Sequence, residues 1–248
     1  MHALIVFCHP EPQSFNGALA DIAEATLAEL GHTSERADLY AEGFDPVEGP
    51  RHYDKRADAD YFAALTEQRA AWAADRTPPD VQGEIQRIER ADLVIVQFPL
   101  WWHAQPAMLK GWFDRVFIYG GLYTGRQRYD KGVFRGKRAI CSVTTGGPQT
   151  SFSQFGRGGA IERLLWPINY SLYYMGFEVL PPSVCHGIQG GGIAYQDQRQ
   201  FEQHLSDCKN GWRDRVLGVG DAAPIPFTGW NDWDDQGRIG TDHPNRWL

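Results

Sequence analysis

Ala3-Leu4-Ile5-Val6-Phe7-Cys8 is an unbroken apolar run that stops at His9-Pro10-Glu11-Pro12-Gln13-Ser14, after which Phe15-Asn16 open a segment of a different period. Six apolar residues without polar alternation are the pattern of a strand covered on both faces, as in a parallel sheet. Over 16–30, Leu19, Ile22, Ala23, Thr26, Leu27 and Leu30 recur at helical spacing, and Gly31 marks a stop. Strand, polar loop, helix is then repeated along the chain. Ala91-Asp92-Leu93-Val94-Ile95-Val96-Gln97-Phe98 is a second buried run, and 33–40, 138–144 and 177–180 supply three more strands. Helices are expected over 60–75, 81–90, 106–117, 160–175 and 196–217. Such alternation predicts an α/β fold with a doubly wound five-stranded parallel sheet and helices on both faces, because right-handed crossovers lay a helix over each parallel pair.

The 248 residues carry 24 Lys plus Arg against 31 Asp plus Glu, a net charge of −7, which offers no basic stripe for nucleic acid. Cys8, Cys141, Cys185 and Cys208 form no CxxC, so no metal ribbon is expected and a reducing cytoplasm is the inferred location. No segment has the length of a membrane span or the pattern of a signal peptide. Nine Trp exceed what core packing usually requires and hint at a flat ligand. Residues 41–59 read as a surface excursion. Residues 1–217 are expected to form the catalytic domain, and 218–248, rich in Gly, Asp, Pro and Trp, an irregular tail.

Ligands of doubly wound sheets bind beyond the carboxyl ends of the strands. The first loop ends on a helix start, where free amides and the helix dipole favour an anion. Ser14 or Asn16 is its expected cap, and from this loop alone a capped helix and a phosphate site are equally consistent. Neither GxGxxG nor GxxxxGK[ST] is present, which disfavours a Rossmann dinucleotide and a P-loop nucleotide. The third loop, Phe98-Pro99-Leu100-Trp101-Trp102-His103-Ala104-Gln105-Pro106, sets an aromatic wall after a central strand. The fourth, Thr144-Thr145-Gly146-Gly147-Pro148, allows backbone to approach a planar ring closely, although a lone Gly-Gly is more often a simple tight turn. Taken together, an anion-ready helix start, an aromatic wall and an amide edge describe a flavin site.

With these residues in view, the chain resembles the flavodoxin-like NAD(P)H:quinone oxidoreductases of the DT-diaphorase type. The resemblance rests on His9-x4-Ser14-Phe15-Asn16, the 91–100 strand, Leu109-Lys110-Gly111-Trp112-Phe113-Asp114-Arg115-Val116-Phe117, Tyr129-Asp130-Lys131-Gly132, Thr144-Thr145-Gly146-Gly147 and Leu165-Trp166-Pro167-Ile168, and it spans about residues 1–217. It implies strand order 2-1-3-4-5 and a homodimer with FAD at the subunit interface and NAD(P)H as a dissociable co-substrate. It further implies two-electron hydride transfer to a quinone by a ping-pong route through one shared pocket. By position, His9, Ser14, Phe15 and Asn16 hold the diphosphate and ribityl region. Pro99, Leu100, Trp101 and Trp102 line the ring, and Thr144, Thr145, Gly146 and Gly147 meet its polar edge. Trp102, His103, Gly146, Gly147, Tyr123 and Tyr174 fall in the nicotinamide and quinone pocket.

The chain departs from the family at two places. Where relatives carry a Tyr and, six residues on, a His after the TTGG motif, this sequence has Phe152 and Gly158. Neither can stabilise charge on a reduced flavin, so those roles are not carried over; Arg157 and His103 are the catalytic candidates instead. Where relatives have a second Tyr and a Met, Gly125 and Arg128 stand here, which predicts a more open and basic pocket rim including Arg128 and Phe152. The alternatives are an FMN-dependent azoreductase or nitroreductase and a flavodoxin-like regulatory subunit of a potassium efflux system. His204 and Cys208, one helical turn apart, have metal-ligand spacing but no visible third ligand; Cys185-His186-Gly187 with Gly190-Gly191-Gly192 could shape a loop near the site, with a flexible connection as the default reading, and Trp230, Trp233 and Trp247 make the tail too aromatic for a plain linker.

Overall fold

The apolar runs become the central strands of a parallel sheet, β1 (His2–Phe7), β3 (Leu93–Pro99) and β4 (Arg138–Thr144), buried along almost their whole length. This computed structural model describes residues 1–188 and 197–244. The edge strand β2 (Thr33–Asp38) pairs with β1, and the order is β2-β1-β3-β4-β5, all parallel, as expected. The fifth position differs in one respect from the single strand expected there. Pro181-Pro182 has no amide hydrogens to give to a ladder, so the position is split between β5 (Glu178–Val179) and β6 (Ser183–Cys185), both parallel to β4. Five places in the sheet therefore hold six strands.

Side chains alternate across β1. Ala3, Ile5 and Phe7 join Leu19, Ala23 and Leu27 of α1 (Phe15–Glu29) and Trp212 and Val216 of α6 (Gln198–Leu217) on one face. Leu4, Val6 and Cys8 join the opposite core, with Ile85 and Ile88 of α3 (Pro79–Arg90), Trp112 of α4 (Ala107–Val116) and Leu165 of α5 (Ile161–Tyr174). Because both faces are dry, neither alternate set can be polar, which is why the strand reads as one apolar run. The remaining helix, α2 (Ala64–Ala73), lies over the second face beside the surface excursion.

Arg115 is the largest charged side chain in the interior, and it bridges α4 to α3 by donating to Asp80 and to the Asp45 carbonyl while its guanidinium stands over Phe44. Burial raises the Asp80 pKa, but the hydrogen bond and charge of Arg115 outweigh it and hold the carboxyl below its usual value. A depressed carboxyl contributes stability above its unfolded pKa of about 3.9 and loses it as pH falls through the lower folded value. Asp80→Asn is therefore expected to lower Tm at neutral pH, with the gap to the parent closing toward pH ~2. A gap that stays constant across an acid series of melting curves would show that the pair contributes nothing through ionisation.

The tail packs back along the sheet edge. Arg138 donates to the carbonyls of Val219 and Ala222, the Ile225 amide donates to the Val179 carbonyl at 2.8 Å, and Phe227 stacks on Tyr173 at 4.5 Å and 8°. Tyr173 also donates through its hydroxyl to the Thr228 carbonyl at 2.8 Å. Residues 218–244 contain no helix or strand. Trp247 and the glycine run at 190–192 lie outside the described residues.

Candidate active site

Three loops meet at the carboxyl ends of β1, β3 and β4. In the first, Ser14 caps α1 by accepting from the Gly17 amide at 3.2 Å, leaving the Phe15 and Asn16 amides without an acceptor among the described residues. The expected alternative cap, Asn16, has another task. It is 4% exposed, donates to Thr144 Oγ1 at 3.0 Å and accepts from Gln97 Nε2 at 2.9 Å. These bonds tie the helix start to both central strands and leave Gln97 Oε1 buried without a partner. His9 is anchored to its own loop, Nδ1 lying 3.0 Å from the Glu11 amide, with its ring 6.0 Å from that of Trp101.

The third loop is a tight reversal. Trp101 and Ala104 exchange both backbone hydrogen bonds at 3.0 Å, with Trp102 and His103 between them at φ +50 and +63. Two central residues with positive φ define a primed two-residue hairpin, a conformation suited to Asn-Gly. Here two large side chains occupy it, and Trp102 is 97% exposed. Left-handed backbone costs a non-glycine residue about 1 kcal/mol or more, and such strain gathers at functional sites.

The fourth loop is held from β6. The Thr145 amide donates to the Cys185 carbonyl, the Gly187 amide to the Gly147 carbonyl and the Ile188 amide to the Thr145 carbonyl, at 2.8 to 2.9 Å. Thr145 Oγ1 lies 3.0 Å from His186 Nδ1. Burial, with the neighbouring His204, lowers the His186 pKa against the opposing pull of Glu162, which favours the neutral ring. Thr144 and Thr145 are buried and spend their hydroxyls inside the protein, which leaves the Gly146 and Gly147 amides as the donors of this edge without an acceptor among the described residues. Phe152 stacks on His186 at 5.6 Å and 28°. A Cβ on Gly158 would meet the Ser151 carbonyl oxygen at 2.9 Å and the Phe152 ring at 3.1 Å, so the two departures form one packing unit. The two catalytic candidates are exposed, His103 at the hairpin tip and Arg157 in a surface turn without a partner among the described residues.

The remaining expected pocket residues form a second cluster. Tyr123 meets Tyr174 edge to face at 5.4 Å, and Arg128 Nη1 donates to the Tyr174 hydroxyl at 2.8 Å. Arg128 also lies 5.4 to 5.5 Å from the ring centroids of Tyr129, Tyr174 and Trp230. The expected open basic rim is thus replaced by a guanidinium caged by the tail, whose Trp230 also donates from Nε1 to the Arg128 carbonyl. Tyr123 and Tyr174 line a cleft of about 550 Å³ with Gln68, Lys110, Asp114 and Gln105. None of the hairpin or glycine-turn residues lines it. Trp230→Ala is expected to free Arg128 and lower Tm by several degrees, with protease nicking of the 218–244 segment as the direct check; unchanged proteolysis would show that the indole does not hold the tail.

Gln97 escaped the sequence reading as a site residue, although a single polar residue in a fully buried strand was a signal that was present, and His186, read by default as part of a flexible connection, stands instead against Thr145 of the glycine turn.

The described helices include none long and apolar enough to cross a membrane. The family described as having a flavodoxin-like fold matches residues 1–210. NAD(P)H dehydrogenase (quinone) 1 of Cavia porcellus is 38% identical over 227 residues, 91% of this chain and 79% of that protein. Ribosyldihydronicotinamide dehydrogenase (quinone) of Homo sapiens is 35% identical over 231 residues, covering 91% and 94%. A solved structure of a candidate quinone reductase from Klebsiella pneumoniae superposes with a TM-score of 0.86 at 33% identity, covering 94% of this chain and 91% of that one. With its parallel sheet order and loop set, the chain belongs to the flavodoxin-like fold family and, within it, to the NAD(P)H:quinone oxidoreductase group.

Proposed function

We propose that this protein is a flavin-dependent NAD(P)H:quinone oxidoreductase that binds FAD and acts as a cytoplasmic homodimer, reducing quinones by two electrons through one pocket used in turn by donor and acceptor. The observation that carries this reading is the strained hairpin, which presents an almost fully exposed Trp102 between the open amides of the α1 start and those of Gly146 and Gly147. The donor set fits a flavin. Phe15 and Asn16 amides suit its phosphates, the Trp101–Trp102 wall its ring, and the glycine amides the carbonyl and nitrogen acceptors of the ring edge. A bound flavin supplies the two-electron relay between nicotinamide and quinone that no side chain here provides.

This chain's own groups then hold, orient and exclude water. Holding two rings in stacked contact supplies much of a hydride-transfer rate through proximity. With Phe152 and Gly158 in place of a phenol and an imidazole, charge at the ring edge is met by amides and by His103 or Arg157. The separation of the Tyr123–Arg128–Tyr174 cluster from the hairpin favours a dimer, in which a second copy covers the open face with its own cluster. Names of the relatives support the quinone acceptor.

An anaerobic stopped-flow mix of the yellow protein with NADPH or NADH, followed by a soluble quinone, tests this reading. Bleaching and recovery of the flavin absorbance are expected, with FAD found on acid release of the cofactor. A protein with stoichiometric flavin that neither donor bleaches would instead be a binding or regulatory flavoprotein.

A further inference from the structure

Most of the polar groups that line the cleft of Tyr123 and Tyr174 are spent on the protein itself. Lys110 pairs with Asp114, Gln68 donates to Glu48 and to the Asp114 carbonyl and accepts from the Tyr119 amide, and Ser171 donates to the Pro167 carbonyl. Tyr174 is different. Its oxygen accepts from Arg128 Nη1 at 2.8 Å, and its own hydrogen has no acceptor among the described residues.

The direction of that bond is settled by chemistry. A guanidinium has donors and no acceptor, so Tyr174 Oη is the acceptor and its O–H is left for another group. The bond to Tyr174 raises the Arg128 pKa against the cost of burial. Arg128 has no ion pair among the described residues. The ring centroids of Tyr129, Tyr174 and Trp230 lie 5.4 to 5.5 Å from its guanidinium carbon, and its Nε is buried without a partner. Tyr123 at 5.4 Å and Tyr129 at 4.8 Å, both edge to face with Tyr174, leave the phenol little room to swing. A cation that no carboxylate neutralises polarises the phenol it touches, and a hydrogen bond given by that phenol is strengthened in turn.

We infer that Tyr174 is the hydrogen-bond donor to a carbonyl oxygen of the acceptor, with Arg128 as the positioning residue that aims and polarises its O–H. The inference rests on the reading of the protein as a quinone reductase and names what the cleft selects: a planar ring bearing a carbonyl oxygen, over a hydrocarbon ring of similar size. That oxygen gains negative charge as the acceptor takes two electrons, so the bond is stronger during reduction than before it. The phenol keeps its proton, and no covalent bond of the protein is made or broken. Phe152 and Gly158 leave the glycine-turn edge without a phenol or imidazole, and Tyr174 supplies a phenol from the tyrosine cluster.

The test measures binding without turnover. Oxidised protein as purified, with no nicotinamide present, is dialysed to equilibrium against 1,4-naphthoquinone-2-sulfonate and, separately, against naphthalene-2-sulfonate, which keeps the rings and the charge but lacks the carbonyls. The parent should prefer the quinone by about fivefold or more, the scale of one hydrogen bond. Tyr174→Phe keeps the ring and its packing; it should lose most of that preference while binding the hydrocarbon within about twofold of the parent. Arg128→Met should lose part of the preference, and Arg128→Lys, which can still donate to Oη, should recover part of it. A purely structural role would weaken both ligands alike. Equal binding of the two ligands by the parent, binding of neither, or a preference that survives Tyr174→Phe would each overturn the proposal. The flavin experiment is read separately. A protein that no donor bleaches but that shows the Tyr174-dependent preference would lose the reductase reading and keep the carbonyl site, whereas a bleached protein whose preference survives Tyr174→Phe would do the reverse.

Discussion

A Gly17→Ala protein is expected to retain the sheet but to lose Tm and to hold flavin at least tenfold more weakly. Inside an exposed helix, replacing Gly with Ala normally gains about 1 kcal/mol, so propensity alone predicts stabilisation. Gly17 reverses the sign because a Cβ there would stand 1.9 Å from the carbonyl oxygen of Pro12, backbone that cannot rotate away. Relief requires the 9–14 loop to move outward by more than an ångström. That movement breaks the Ser14 cap, which reaches the Gly17 amide, and displaces the Phe15 and Asn16 amides on which an anion would rest. Gly211 in α6 provides the control, since a Cβ there meets nothing within 4 Å and Gly211→Ala should stabilise. Equilibrium dialysis of flavin beside thermal melts of both variants decides the matter. A Gly17→Ala protein as stable as the Gly211→Ala control, with undiminished flavin retention, would remove the first loop from the site.

The same contrast between local and long-range causes explains what could be read from the chain. The runs at Ala3–Cys8 and Ala91–Phe98 were legible as central strands because burial on both faces leaves a signature in consecutive residues. The three loops were legible because topology places strand ends together, whatever the loops contain. Beyond that, sequence spacing has no hold. Asn16, Gln97 and Thr144 lie on three different elements, and only the folded sheet shows that the Asn16 side chain braces two strands while its amide stays at the helix start. Likewise the caging of Arg128 depends on Trp230, 102 residues away, in a segment without periodicity. The split of the last strand was visible in Pro181-Pro182, but its effect required knowing that this position follows β4 along its whole edge.

The hairpin at Trp101–Ala104 is where stability and function should be most plainly opposed. Replacing Trp102 and His103 together by Asn-Gly, the pair that suits a primed turn, is expected to stabilise the protein by about 1–2 kcal/mol, or roughly 2–8 °C in Tm for a chain of this size. The same change removes the aromatic wall, and flavin reduction by NAD(P)H should slow by at least tenfold, a barrier increase of about 1.4 kcal/mol. The single variants separate the causes. His103→Gly relieves one strained residue and keeps the indole, so it should gain part of the stability; any loss of rate it shows reports the imidazole as a donor. Trp102→Ala leaves the left-handed backbone strained and should lose rate without a matching gain in Tm. If the double variant became more stable and still reduced its flavin at the parental rate, the strain at Trp102 and His103 would serve no chemistry, and the case for this edge as the ring-binding wall would fall with it.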